Sequence, residues 1–245
     1  MRSFAHTHIE VFDTSLHVSF ISCRVQREAF VDALHVFFLQ AFVIVFIIVD
    51  PVANIMVFLS LTEGSSVGER RLISRKAAVF GCLVLLGSAI FGDFILSLFH
   101  ITIDSLRVIG GILILAIAMD MLYGRLSREG YTPEEALESG VREDIAFFPL
   151  AIPMLAGPGA ITTVIILMKA ADSFVFDILV FAAIILTFFI TWILFVASEE
   201  IHRVLGVTGN RVITRMMGLI LGAIAVQFIT TGLWNIYISL SSSGV

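Results

Sequence analysis

The chain has 245 residues, of which 58% are hydrophobic and 14% charged. That is well short of the roughly 25% charged residues that cover a water-soluble core, so this composition excludes an ordinary soluble domain. The mean hydropathy of +1.02 fits lipid as the solvent, and a net charge of −5 leaves no electrostatic footprint for nucleic acid.

Residues 1–35 read as an extracytoplasmic tail. Arg2 is present, but His, Asp, Glu and Arg punctuate the segment, so no continuous apolar stretch marks a cleavable signal peptide. Six apolar runs follow: Val36–Leu61, Ala77–Leu98, Leu106–Tyr123, Ile145–Met168, Phe174–Ala197 and Val212–Ile238. Each is near the ~20 residues that cross ~30 Å of hydrocarbon as a helix. Helices are required because every backbone group in lipid must be bonded within its own segment. The fold class expected is therefore an all-α membrane protein of six transmembrane helices.

The longest connection, residues 124–144, is charged and reads as a solvated linker. Its Thr132-Pro133-Glu134-Glu135 also resembles a capped helix start on the surface. Of fifteen Lys and Arg residues, ten fall on the side of this linker and five on the other. The positive-inside rule then places the linker in the cytoplasm and both termini outside the cell membrane, as in a multi-pass protein of the bacterial inner membrane. Cys23 and Cys82 give neither a disulfide framework nor metal-ligand spacing, and His6 and His8 lie in the tail.

A gapless shift of 107 residues superposes the two halves. Asp50–Ile55 (DPVANI) falls on Gly157–Thr162 (GPGAIT), and Gly111–Asp120 falls on Gly218–Gln227. Residues 36–123 and 145–240 then form two three-helix repeats. An odd number of spans forces the second repeat into the membrane upside down, the inverted arrangement of many secondary transporters.

Within this repeat, Pro51 and Pro158 stand at equivalent places near the middle of the first and fourth spans. Proline removes a helix hydrogen bond and clashes with the carbonyl four residues back. A proline preceded by Asp50 or by Gly157 also suits a new helix start, so each span is expected to divide into two half-helices. Pro153 adds a further break in the fourth span. Two half-helix N-termini facing one cavity would offer free N–H donors and partial positive charge, which suit a carboxylate.

The expected substrate-binding residues are Asp50, Asn54, Gly157, Gly159, Thr162 and Thr163. Gly159 would leave room for the anion. Asp50, an ionisable group at membrane depth, would either cap its half-helix or face a cation: a substrate ammonium, or a coupling Na+ or H+. Asn54, Thr162 and Thr163 could equally serve ordinary interhelical bonding. Gly81, Gly87, Gly110, Gly111, Gly218 and Gly222 suit close helix packing. No Ser–His pair, facing aspartates or metal-ligand set lies in the spans, so no catalytic residue, metal or cofactor is expected. The expected partners are the lipid bilayer and a small-molecule substrate; oligomeric state does not follow.

The segments DPVANIMVFLSLT at 50–62, RVIGGILILAIAMDML at 107–122, FPLAIPMLAGPGAITTVI at 148–165 and TRMMGLILGAIAVQFI at 214–229 resemble the MarC family of bacterial and archaeal inner-membrane proteins. The resemblance implies six spans, membership of the wider LysE-like transporter group and no cofactor. Some relatives look like transporters of small neutral amino acids, and the same is expected here. The alternatives are an uncoupled channel and a structural membrane protein. The family usually has Gly where Ala53 stands and Pro where Met56 stands, and both changes favour a more regular first half-helix.

Overall fold

A computed structural model describes residues 31–124, 144–171 and 173–242. The tail with His6, His8 and Cys23, and the surface helix start expected at 132–135, lie outside these residues. The described chain is helical, without strands. Its elements are α1 (31–49), α2 (Pro51–Leu61), α3 (Val67–Leu98) and α4 (Ile103–Tyr123). A short 3-10 turn (Asp144–Ala146) then leads into α5 (Phe147–Leu155), which is wound as a π-helix. The remaining helices are α6 (Pro158–Ala170), α7 (Phe174–Val196) and α8 (Ser198–Ser242), the last bent at Gly206.

Among the described residues, five helices are long and apolar enough to cross a membrane: Val31–Leu61, counted across the α1/α2 junction, then α3, α4, α7 and the Thr208–Ser242 arm of α8. The sixth expected run, Ile145–Met168, is divided between α5 and α6, neither long enough alone.

Helix ends run past the apolar windows. α3 starts at Val67, not Ala77, because Ser66 and Glu69 form a capping box: the Ser66 hydroxyl accepts from the Glu69 N–H, and the Glu69 carboxylate accepts from the Ser66 N–H. This first stretch carries Arg70, Arg71, Arg75 and Lys76, charges that a hydropathy window rejects and a headgroup layer accepts. α4 likewise begins at Ile103, capped by Thr102. Gly124, in the left-handed region, ends it.

Small residues set the packing. α4 and the long arm of α8 lie antiparallel, with Gly232 against Asp104 and Val108, Gly111 against Ala225 and Ile229, and Gly218 against Ala118, Met121 and Leu122. The last two contacts are reciprocal: Ala118 and Leu122 stand 107 residues before Ala225 and Ile229, as Gly111 does before Gly218. On the other side, α3 meets α7 where Gly81 faces Phe188, again 107 residues apart. Gly81 also meets Leu155 and Gly92 meets Ile165, so α3 runs parallel to the α5–α6 segment, and Gly110 of α4 sits on Thr162. Phe58 of α2 stacks on Phe195 of α7, with ring centroids 4.6 Å apart.

These contacts give the bundle two ends. One gathers the start of α1, the α3–α4 turn, the end of α6, the start of α7 and the end of α8. The other gathers the α2–α3 turn, the end of α4 and the α7–α8 bend.

Candidate functional site

The α1/α2 junction is one residue wide. Asp50 occupies the left-handed region (φ 44°, ψ 61°), where an L-residue is strained and Asp or Asn is the least costly choice apart from Gly. Its backbone still bonds in both directions: its N–H donates to Phe46 O and its carbonyl accepts from Asn54 N–H. Two side chains close the gap between. The Asp50 carboxylate accepts from Ala53 N–H at 3.3 Å, and Asn54 Nδ2 donates to Val49 O at 3.1 Å. Both side chains are buried. The DPxxN sequence therefore carries its own repair for the Ala53 N–H to Val49 carbonyl bond that the bend opens.

The α5/α6 junction is wider and less closed. Ala156 N–H donates to Ala151 O, five residues back, which ends the π-helical turns. Gly157, extended, then stands at the start of α6, with the exposed Pro158 as its first residue. Among the described residues no side chain caps this helix, whereas α2 is capped by Asp50, 107 residues before Gly157. Thr162 and Thr163 bond back to the carbonyls of Pro158 and Gly159, each at 2.8 Å.

The structure thus forms two clusters: Asp50 with Asn54 on the first bend, and Gly157, Gly159, Thr162 and Thr163 at the head of α6. No hydrogen bond joins them among the described residues. The space expected over Gly159 is occupied by helix α4. A Cβ at Gly159 would come within 3.2 Å of Ile117 Cδ1 and 3.6 Å of Ile114 Cγ1, so this glycine serves a helix crossing. For Pro153, the structure gives a place in the π-helical turns of α5.

Two open grooves lie away from both clusters. One, of about 720 Å3, is lined by Met56, Leu59, Ser60, Glu63, Gly64, Arg70, Glu199, His202 and Arg203. Within it Arg70 pairs with Glu199 and also donates to Thr62 O, tying the end of α2 and the start of α3 to the start of α8. Arg70 Nε and His202 Nδ1 are buried without a hydrogen-bond partner among the described residues. The second groove, of about 480 Å3, is lined by Gly68, Arg71, Leu72, Arg75, Trp192 and Val196. At the opposite end of the bundle Lys169 of α6 pairs with Asp93 of α3, and Asp104 accepts from both Arg107 and Asn235, each at 2.9 Å.

Sequence reasoning gave none of these groove residues a binding role, Met56 being named only as a departure from the family pattern. Their signal was the sign of charge at span ends, which had been absorbed into topology. Among the described residues, no three His, Cys, Asp or Glu side chains gather in a way that could hold a metal ion.

The pattern of the MarC family integral membrane proteins matches residues 35–237. The chain is 40% identical over 200 residues to the UPF0056 membrane protein YhcE of Escherichia coli, covering 82% of this chain and 93% of that protein. It is 39% identical over 198 residues to a UPF0056 membrane protein of Methanocaldococcus jannaschii, covering 80% and 96%. It is 38% identical over 207 residues to YvbG of Bacillus subtilis, covering 84% and 98%. No solved structure matches the chain. With a match that runs through every described helix, the chain is a multi-pass membrane protein and belongs to the MarC family of integral membrane proteins.

Proposed function

We propose that the protein is a transporter of small solutes, built as two inverted three-helix repeats in the cell's inner membrane, with small neutral amino acids as the substrate class. The observation that carries this reading is the unequal pair of helix starts. At equivalent places in the two halves, α2 is capped by its own carboxylate and α6 by no side chain. The N–H groups at the head of α6 would receive a substrate carboxylate. Asp50 would answer the substrate ammonium or a coupling Na+ or H+, if it swings from its cap. The reciprocal glycine contacts between α4 and α8 support the inverted repeat. With α5 and α6 together making one crossing, both termini lie at the same end, and the Arg-rich end faces the cytoplasm.

Uptake of labelled amino acids into liposomes, with and without Na+ and H+ gradients, tests this reading. Saturable uptake that Asp50→Asn weakens or frees from its ion dependence is expected. Flux that rises without saturation would identify an uncoupled channel instead. A second reading, a structural membrane protein, is favoured by the hydrogen bonds that Asp50 and Asn54 already make across the α1/α2 bend and Thr162 and Thr163 within α6. It takes over if well-folded protein moves none of the amino acids tested.

A further inference from the structure

The 480 Å3 groove between the start of α3 and the end of α7 has two chemically different parts. Arg71 and Arg75 stand one turn apart on one face of α3, and both are exposed. Neither guanidinium has a hydrogen-bond or carboxylate partner among the described residues, although the adjacent Arg70 is paired with Glu199. Below them the walls are apolar. Leu72 and Val196 are each 37% exposed, and Trp192 lies one turn before the end of its helix. The floor is open at Gly68, where a Cβ would touch nothing within 4 Å.

The same ridges continue along both helices into the apolar belt. On α3 the row Arg71, Arg75 runs on through Val79 and Leu83, 51% and 57% exposed. On α7 the row Trp192, Val196 runs back through Phe189 and Ile185, both 53% exposed. Two unpaired cations at a span end, a tryptophan beside them and an apolar track leading from them match one kind of molecule.

We propose that this groove is a binding site for an anionic phospholipid, its phosphate held by Arg71 and Arg75 and its acyl chains laid along Val79, Leu83, Phe189 and Ile185. Guanidinium forks one turn apart can each present two N–H groups to phosphate oxygens. Trp192 suits the level of the ester groups, where amphipathic rings collect. The sideways opening onto exposed apolar ridges favours a lipid over a soluble phosphate, which would gain nothing from those walls. The proposal is independent of what the protein transports.

Trp192 and Trp234 are the two tryptophans of the chain. In a Trp234→Phe background, Trp192 is therefore a local reporter. Full-length protein is reconstituted in phosphatidylcholine vesicles holding a minor fraction of brominated phosphatidylglycerol, or the same fraction of brominated phosphatidylcholine. Quenching of Trp192 should show that phosphatidylglycerol is preferred by about 30-fold, the value expected for two arginines at a membrane surface. Arg71→Gln with Arg75→Gln should remove the preference. Arg211→Gln with Arg215→Gln, which lowers the charge equally on exposed sites of α8 at the same end, should leave it. Equal quenching by both lipids overturns the proposal. So does a preference that survives the first pair of substitutions, or one that falls equally with both pairs, which would be diffuse surface charge. Release of the quenching by millimolar glycerol phosphate would identify a soluble phosphate site, and that too overturns it.

Discussion

Asp50 meets two demands that few residues meet together: a left-handed backbone and a carboxylate aimed at Ala53 N–H. Asn tolerates the backbone and keeps one acceptor oxygen, whereas Ala meets neither demand. Asp50→Ala should therefore destabilise the protein by about 2–3 kcal/mol, from about 1 for the cap and 1–2 for the left-handed backbone, and Asp50→Asn by less than about 1. Thermal unfolding in detergent reads both, and equal losses would show that the cap and the backbone are not what Asp50 supplies. Asp50 and Pro51 were legible as a break from the dipeptide alone. The partner of Asn54 was not: nothing in the spacing tells whether an amide one turn into a helix faces a cavity or turns back to the carbonyl that the bend has freed. Gly159 shows the same limit, since a glycine that admits a ligand and a glycine that admits a neighbouring helix look alike in sequence.

At the scale of the helices, the apolar windows located the cores of the spans and missed their ends, because ends are set by caps. Ser66 and Glu69 start α3 ten residues before its apolar run, and the signal was present as a Ser-x-x-Glu pair. The π-helical winding of α5 was not legible. Proline and glycine announce that a regular ladder fails, but only tertiary packing decides how it fails. Among the small residues, the crossing of α4 and α8 allows a graded test. A Cβ at Gly218 would lie 2.9 Å from Met121 Cβ and 3.2 Å from the carbonyl of Ala118, whereas one at Gly222 would lie 3.7 Å from Ala118 Cβ, an ordinary contact. Gly218→Val should cost about 1–3 kcal/mol through overpacking. Gly222→Ala should be neutral or slightly stabilising, because Ala is the better helix former by about 1 kcal/mol. Denaturation of the two variants side by side settles the order, and a tolerated Gly218→Val would mean that the helices are farther apart than described.

For the molecule as a whole, membrane class followed from composition and helical architecture from the length of the apolar runs, because a chain with 58% hydrophobic and 14% charged residues lacks the polar surface to cover a soluble core. Sidedness is the next test. Reporter fusions at Gly64 and Gly209 should read cytoplasm, and fusions at His100 and after Val245 should read the opposite face. A cytoplasmic C-terminus would remove the fourth crossing and with it the inverted repeat.

The pairing of Gly81 with Phe188 has its own consequence on that repeat. On the proposed inverted repeat, residues 107 apart that face each other would sit on the axis relating the two halves. In a pair of identical three-span chains, the residue on such an axis would meet its own copy. Two glycines there would leave a void, and two phenylalanines would collide. On that proposal, joining the halves in one polypeptide would let one side shrink while the other grows, so that each fits its opposite. Expressed as separate chains, the first and second halves should assemble with each other, and neither should assemble with itself. Co-purification of differently tagged halves would show that duplication has become division of labour, and stable pairs of like halves would show that it has not.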